Sequence, residues 1–243
     1  AALGVASLVV IIGLATMQGT VMQSSPAPEP TADSSQEFDA SGRYIMKNFD
    51  TAKPMSNFLS GIAGVWGVPL WVFYVNRGQG IASFGVTNKD GGILKFSTAD
   101  RAYQQTPFNG FRTFVKGRRA GLPQWKYQPF FPDTGADCGV PSAAPQRDMM
   151  IGMNEMEVQE INTELGLQVN ALYFIVPEED FGGLVRRVTF TNTDSDSDLE
   201  LEVLDGLSKL EPSGVTNGFL DQMGRTMEAW MKVYNVDDGD FTQ

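Results

Sequence analysis

Three stretches in the second half of the chain alternate apolar and polar residues with the period of two that marks a half-buried strand: residues 167–176, 184–191 and 199–204. In the last, Leu199, Leu201 and Val203 alternate with Glu200 and Glu202. In the middle one, Val188 and Phe190 oppose Arg187, Thr189 and Thr191. The polar segment 192–198 between these two predicts that they pair as an antiparallel hairpin. Earlier, residues 70–76 (LWVFYVN) are apolar on both faces, which predicts a strand covered on both sides. A turn at Arg77–Gly80, a strand over 81–87, a turn at 88–92 (NKDGG) and a strand over 93–96 extend it into an antiparallel meander. Repetition of this pattern predicts a mainly β fold, two antiparallel sheets packed as a sandwich.

The period changes at both ends of the chain. Phe219, Met223, Met227, Trp230 and Tyr234 recur at three- and four-residue steps, which predicts an amphipathic helix over 217–233 whose apolar stripe meets a core or a further domain. At the other end, residues 1–22 are apolar, and the first charged residue is Glu29. The strongest run, 1–17, predicts an N-terminal hydrophobic helix with the length of a signal-peptide core or a short membrane span. Residues 23–37 (QSSPAPEPTADSSQE) hold no large apolar side chain and read as a disordered tether. The expected organisation is thus a signal peptide or membrane anchor over 1–22, a linker over 23–37, a β-sandwich over 38–210 and a helical linker over 211–243. The chain reads as a fragment of a longer protein, secreted or membrane-anchored on the extracytoplasmic side.

Composition narrows the chemistry. The 243 residues are 42% hydrophobic and carry a net charge of -11, which disfavours nucleic acid as a partner. The densest basic group, Lys116, Arg118 and Arg119, reads as a solvated loop. There is no histidine, so the chain cannot supply a Ser-His-Asp or Cys-His system or a histidine-bearing zinc site. The single cysteine, Cys138, can form no disulfide within the chain and reads as an idle thiol. Asp194, Asp196 and Asp198 form a D-x-D-x-D run in a loop between strands. It reads as a solvated turn, with calcium ligation as the alternative. Gly78-Gln79-Gly80 reads as a tight turn rather than a phosphate loop, because no Lys-Ser/Thr follows it. No carboxylate pair stands out for glycosidic chemistry, and neither a cofactor nor a metal is implied.

Aromatic and amide side chains crowd two stretches: Trp66, Trp71, Phe73, Tyr74, Arg77 and Gln79 in one, and Phe108, Asn109, Phe111 and Arg112 in the other. Aromatic faces stack on sugar rings while Arg, Asn and Gln fix the hydroxyls. The carbohydrate-binding candidates are therefore Trp71, Tyr74, Arg77, Gln79, Asn109 and Arg112. Arg77 and Gln79, in a turn, are the better placed of the first group.

Residues 167–210 also carry a resemblance. They read through "YFIVP" (173–177), "VTFTNTDSD" (188–196) and "LELEV" (199–203). This resembles the N-terminal domain of glycoside hydrolase family 94, formerly glycosyltransferase family 36, which includes cellobiose and chitobiose phosphorylases. Residues 42–45 and the meander over 70–116 are similar more loosely. The resemblance implies a large antiparallel supersandwich of the galactose-mutarotase-like, carbohydrate-binding type. It also implies a helical linker and, beyond it, an (α/α)6 catalytic domain of the same protein. The catalytic acid and the phosphate site belong to that barrel, so no catalytic residue carries over. The resemblance implies as partners an oligosaccharide of β-glucan type, the catalytic domain and a second copy of the chain in a homodimer; the apolar start, which that family lacks, adds the membrane through residues 1–22. The function expected is a non-catalytic carbohydrate-binding domain of a glycoside phosphorylase or hydrolase. The alternative is a stand-alone membrane-tethered binding or adhesion module.

Overall fold

A computed structural model describes residues 6–7, 37–132, 144–211 and 215–230. The expectations for Cys138, for residues 231–243, for the linker apart from Glu37 and for the apolar start apart from residues 6 and 7 lie outside them. Among the described residues no helix is long and apolar enough to cross a membrane.

The elements in chain order are β1 (Ala6–Ser7), β2 (Glu37–Phe38), β3 (Tyr44–Lys47), β4 (Ser56–Phe58), β5 (Trp71–Val75), β6 (Ile81–Gly85), β7 (Gly92–Leu94), α1 (Ala99–Asn109), β8 (Phe111–Arg119), β9 (Trp125–Tyr127), β10 (Gln146–Ile151), β11 (Glu155–Asn162), β12 (Leu167–Ile175), β13 (Leu184–Asn192), β14 (Leu199–Leu207) and α2 (Asn217–Trp230). They form three antiparallel sheets of order β1-β13-β12-β11-β10-β3-β2, β4-β5-β6-β7 and β14-β8-β9. The fold is therefore mixed, with several antiparallel sheets and two helices among the described residues, and no sheet closes on itself there.

Burial follows the sequence pattern where that pattern is strongest. Along β11 and β12 every second residue is buried, placing Met156 and Val158 beside Val169, Ala171 and Tyr173. These residues join Val72, Tyr74, Ile81, Val115 and Val188 in one core drawn from all three sheets. β5 is covered on both faces, as its composition predicts. Val72 and Tyr74 enter the main core, while Phe73 and Val75 meet Ala102 of α1.

Three expectations are corrected. Ala6 and Ser7, the described residues of the apolar start, stand in a strand paired with β13 rather than in a helix. β14 does not pair with β13. It pairs along its whole length with β8, from Leu199 opposite Arg119 to Leu207 opposite Phe111, while β13 pairs with β12. The polar loop 193–198 is a crossing between sheets, because alternation specifies a strand's wet face but not its neighbour. The basic run is no loop either. It lies on β8, where Lys116 and Arg118 pair with Glu202 and Glu200 across the ladder at 2.9 and 2.6 Å. Arg119 turns inward and donates to the carbonyls of Leu165, Gly166 and Ser197 and to Asn192 Oδ1. It thereby ties the crossing loop to the β11–β12 turn.

The core also holds ionic groups. Glu160, on the inward face of β11, accepts from Arg147 Nε at 2.7 Å, Tyr127 Oη at 2.6 Å and the Phe130 amide at 2.7 Å. Arg147 also reaches Asp50 at 2.8 Å and the Phe131 carbonyl at 2.9 Å. Burial opposes the guanidinium's charge, but the Glu160 and Asp50 charges outweigh it and hold Arg147 firmly protonated. This cluster fixes the segment 127–131 against the seven-stranded sheet.

Glu211, whose amide donates to the Ile93 carbonyl, is buried with one carboxylate oxygen lacking a hydrogen-bond partner among the described residues. Burial pushes its carboxyl up, and Lys95 and Lys209 offset this only in part. A carboxyl with a raised folded pKa binds its proton more tightly in the native state, so its contribution to stability is lost as pH rises through that pKa. Glu211→Gln is therefore expected to melt above wild type at pH 7. The two melting curves should converge below about pH 4, where the carboxyl is neutral in both states. A melting difference independent of pH would contradict this account.

Candidate functional site

The turn Arg77–Gly80 is an interior feature. Gly78 adopts φ +55°, and a β-carbon there would come within 2.9 Å of the Pro107 Cα, so only glycine lets the turn sit under the last turn of α1. The sequence gives α1 little periodic signal, because Pro107 interrupts a weakly amphipathic run over 99–109. The local cues were Thr98 ahead of Asp100 and Gly110 behind Asn109. The Gly110 amide closes the helix on the Thr106 carbonyl at 2.9 Å and hands the chain directly to β8. This junction brings α1, the 77–80 turn and the first residues of β8 together.

A shallow surface crevice, with no interior room for a water molecule, lies there, lined among others by Gly78, Gln79, Arg112, Gln128 and Phe131. Arg112 is its chemical centre. Its guanidinium carbon lies 4.8 Å from the ring centre of Phe114 and 5.5 Å from that of Phe131. One Nη donates to Gln128 Oε1 at 3.1 Å, while the buried Nε has no hydrogen-bond partner among the described residues. Burial pulls the guanidinium below its ordinary value, and it forms no ion pair with a described carboxylate. A buried donor without a partner is destabilising, so a shift of the side chain that brought this N–H to an acceptor at the surface would be favoured. Around it stand Phe108, half exposed and edge-on to Phe131 at 5.3 Å, and Leu204, exposed opposite Phe114 on β14. Asn109, the last residue of α1, is exposed beside them.

Of the six residues singled out in the sequence, Gln79 and Arg112 line this crevice and Asn109 stands just ahead of Arg112 at the α1–β8 junction. Gln79 is only 2% exposed and its amide is engaged. Nε2 donates to Thr113 Oγ1 at 2.8 Å, and Oε1 accepts from Arg186. It belongs to a sealed network in which Arg186 also donates to Asp205, to Thr113 Oγ1 at 3.1 Å and to Tyr173 Oη at 3.1 Å, and Thr113 donates to Asp205 at 2.5 Å. Arg77 is half-buried. It donates to the Asp50 carbonyl and lies 5.1 Å over the Tyr103 ring, away from the crevice. Tyr74 is 2% exposed, and burial raises its hydroxyl pKa. Trp71 is half-buried and donates from Nε1 to the Asn88 carbonyl at 3.1 Å. These side chains are held by the core and its loops, because the turn that carries Arg77 and Gln79 is roofed by α1.

Sequence reasoning missed Phe114, Gln128 and Phe131. The first sits on the wet face of β8, and the other two lie in an irregular segment without periodicity. The acidic run 194–198 is a turn closed on itself: Asp194 accepts from the Asp196 amide at 2.9 Å and from Ser197 Oγ at 2.8 Å, and lies 3.4 Å from Arg119. No group of three acidic or thiol side chains is placed to hold a metal among the described residues. No protein-family model matches the chain, and no curated protein matches it in sequence.

Proposed function

We propose that the chain is a non-catalytic carbohydrate-binding domain, a supersandwich akin to the N-terminal domain of glycoside hydrolase family 94, that holds a β-glucan-type oligosaccharide at the Arg112 crevice. The observation that carries the reading is the Arg112 guanidinium, flanked by two phenylalanine rings with one buried N–H unpartnered. A sugar hydroxyl supplies the missing acceptor once the Arg112 side chain turns outward to meet it, and the exposed faces of Phe108 and Phe114 offer C–H-rich rings a surface. The strand-turn-strand similarity over 167–210 supports the same assignment. The crevice is a surface dimple without interior room for even a water molecule, far short of an ordinary enclosed ligand pocket. It grips the edge of one ring while the rest of the oligosaccharide lies across the surface, and affinity falls near the millimolar end of the scale.

Calorimetric titration of cello-oligosaccharides into the full chain tests this. Arg112→Ala is expected to weaken binding about tenfold, the effect of losing one charge-assisted hydrogen bond worth about 1.5–3 kcal/mol. Arg77→Ala serves as the contrast: it should lower the melting temperature, through the lost Asp50 and Tyr103 contacts, and leave affinity unchanged. Equal affinity in wild type and Arg112→Ala, or no measurable binding by wild type, would refute the proposal.

A further inference from the structure

At one end of the seven-stranded sheet three loops converge: residues 59–70, the β10–β11 turn 152–154, and residues 176–183 that join β12 to β13. They present Ile62, Val65, Trp66, Met153 and Phe181 to solvent, with Val65, Trp66 and Met153 80–84% exposed. Scattered exposed apolar residues are ordinary, but five on adjoining loops are not. The loop that carries Trp66 is held open rather than slack. Glu178, at φ +61°, accepts from the Val65 amide at 2.8 Å and the Trp66 amide at 3.3 Å, and its own amide donates to the Ala63 carbonyl at 2.7 Å. The Val68 amide donates to the Glu179 carbonyl at 3.1 Å, and Asn154 Nδ2 donates to the Ile62 carbonyl at 3.0 Å. A β-carbon at Gly67 would come within 2.0 Å of the Ala63 carbonyl oxygen, so the loop is tightly folded on itself. A left-handed glutamate whose carboxylate holds the amides beneath an exposed tryptophan is a strained backbone position that the surrounding hydrogen bonds sustain.

Charge selects that partner. These three loops contain Glu178, Glu179 and Asp180 and no lysine or arginine, while Glu155 beside them at the start of β11 is paired with Arg43 at 3.4 Å. A second copy of this chain would bring the same acidic rim together with a net charge of -11, and an anionic membrane would be repelled likewise. We infer that the Trp66 surface docks a cationic amphipathic protein segment, with apolar side chains seated on Trp66, Val65 and Met153 and basic ones facing Glu179 and Asp180. This surface is separate from the Arg112 crevice and does not depend on the carbohydrate reading.

The test uses the full chain and a 14-residue amphipathic helical peptide of leucine and lysine, with the same peptide in glutamate form as its control. Calorimetry at low salt should give saturable binding of the lysine peptide and none of the glutamate peptide. Trp66→Ser combined with Val65→Ser should weaken binding at least tenfold with an unchanged circular dichroism spectrum. Glu179→Lys combined with Asp180→Lys should weaken it to a similar extent and reduce its salt dependence. Absence of lysine-peptide binding, equal binding by either double variant, or equal binding of the glutamate peptide would overturn the inference. So would capture of the wild type, but not of Trp66→Ser with Val65→Ser, by phosphatidylcholine vesicles in place of the peptide, because the surface would then be a lipid contact.

Discussion

Arg186→Ala is expected to destabilise the fold by about 3–5 kcal/mol, the range for removing one partner of a buried ion pair. The side chains of Arg186 and Asp205 are 4% and 1% exposed. Without the guanidinium, Asp205 keeps a hydrogen bond from Thr113 but no countercharge, while Gln79 Oε1 and Tyr173 Oη each lose a donor. The loss comes chiefly from the charge left behind rather than from the net worth of the pair. Arg186→Met combined with Asp205→Leu should therefore recover most of it. Urea denaturation of the three proteins decides the matter. A single variant that loses under about 1 kcal/mol, or a double variant no better than the single, is incompatible with a sealed ionic network.

Gly78→Val should destabilise by about 2–4 kcal/mol, combining left-handed strain in a β-branched residue with overpacking. The near neighbour is backbone, the Cα and N of Pro107, so it cannot swing aside as a flexible side chain could. Relief requires the last turn of α1 to move, and that turn feeds straight into Arg112. The same variant is therefore expected to lose the oligosaccharide affinity assigned to the crevice. Denaturation and titration of one preparation test both effects. A variant as stable as wild type would mean that the turn does not sit beneath the helix.

The two predictions mark how far the residues could be read in advance. The meander β5–β6–β7 and the double-sided burial of β5 were legible because they depend on local apolar pattern and turn chemistry. The helix at 217 was legible from its three- and four-residue steps. The partner of β14 was not, since the face of a strand is written in its alternation and its neighbour is not. Arg186 occupies the inward register of Val188 and Phe190, and Glu160 that of Met156 and Val158. A charged residue on an apolar face was thus a visible sign of a buried pair, although the opposite charge lies on another strand. At the crevice, Arg112 was legible by type alone. Its setting depends on Phe131 and Gln128, from a segment that the Arg147–Glu160 cluster positions from a distance.

The pairing of β3 with β10 has a consequence for how the chain is made. Tyr44 and Ile151 are register partners about 100 positions apart. At about 5–20 residues per second, ribosomal synthesis needs several seconds or more to cover that distance. Meanwhile the β5–β6–β7 meander can form from neighbours, whereas β3 waits with the edge meant for β10 unpaired and Met46, destined for the core, uncovered. Sheets built from such distant pairings form slowly, because loop closure precedes the contacts that reward it. The nascent chain is therefore most exposed to mispairing and to chaperone capture in the interval between the emergence of β3 and that of β10.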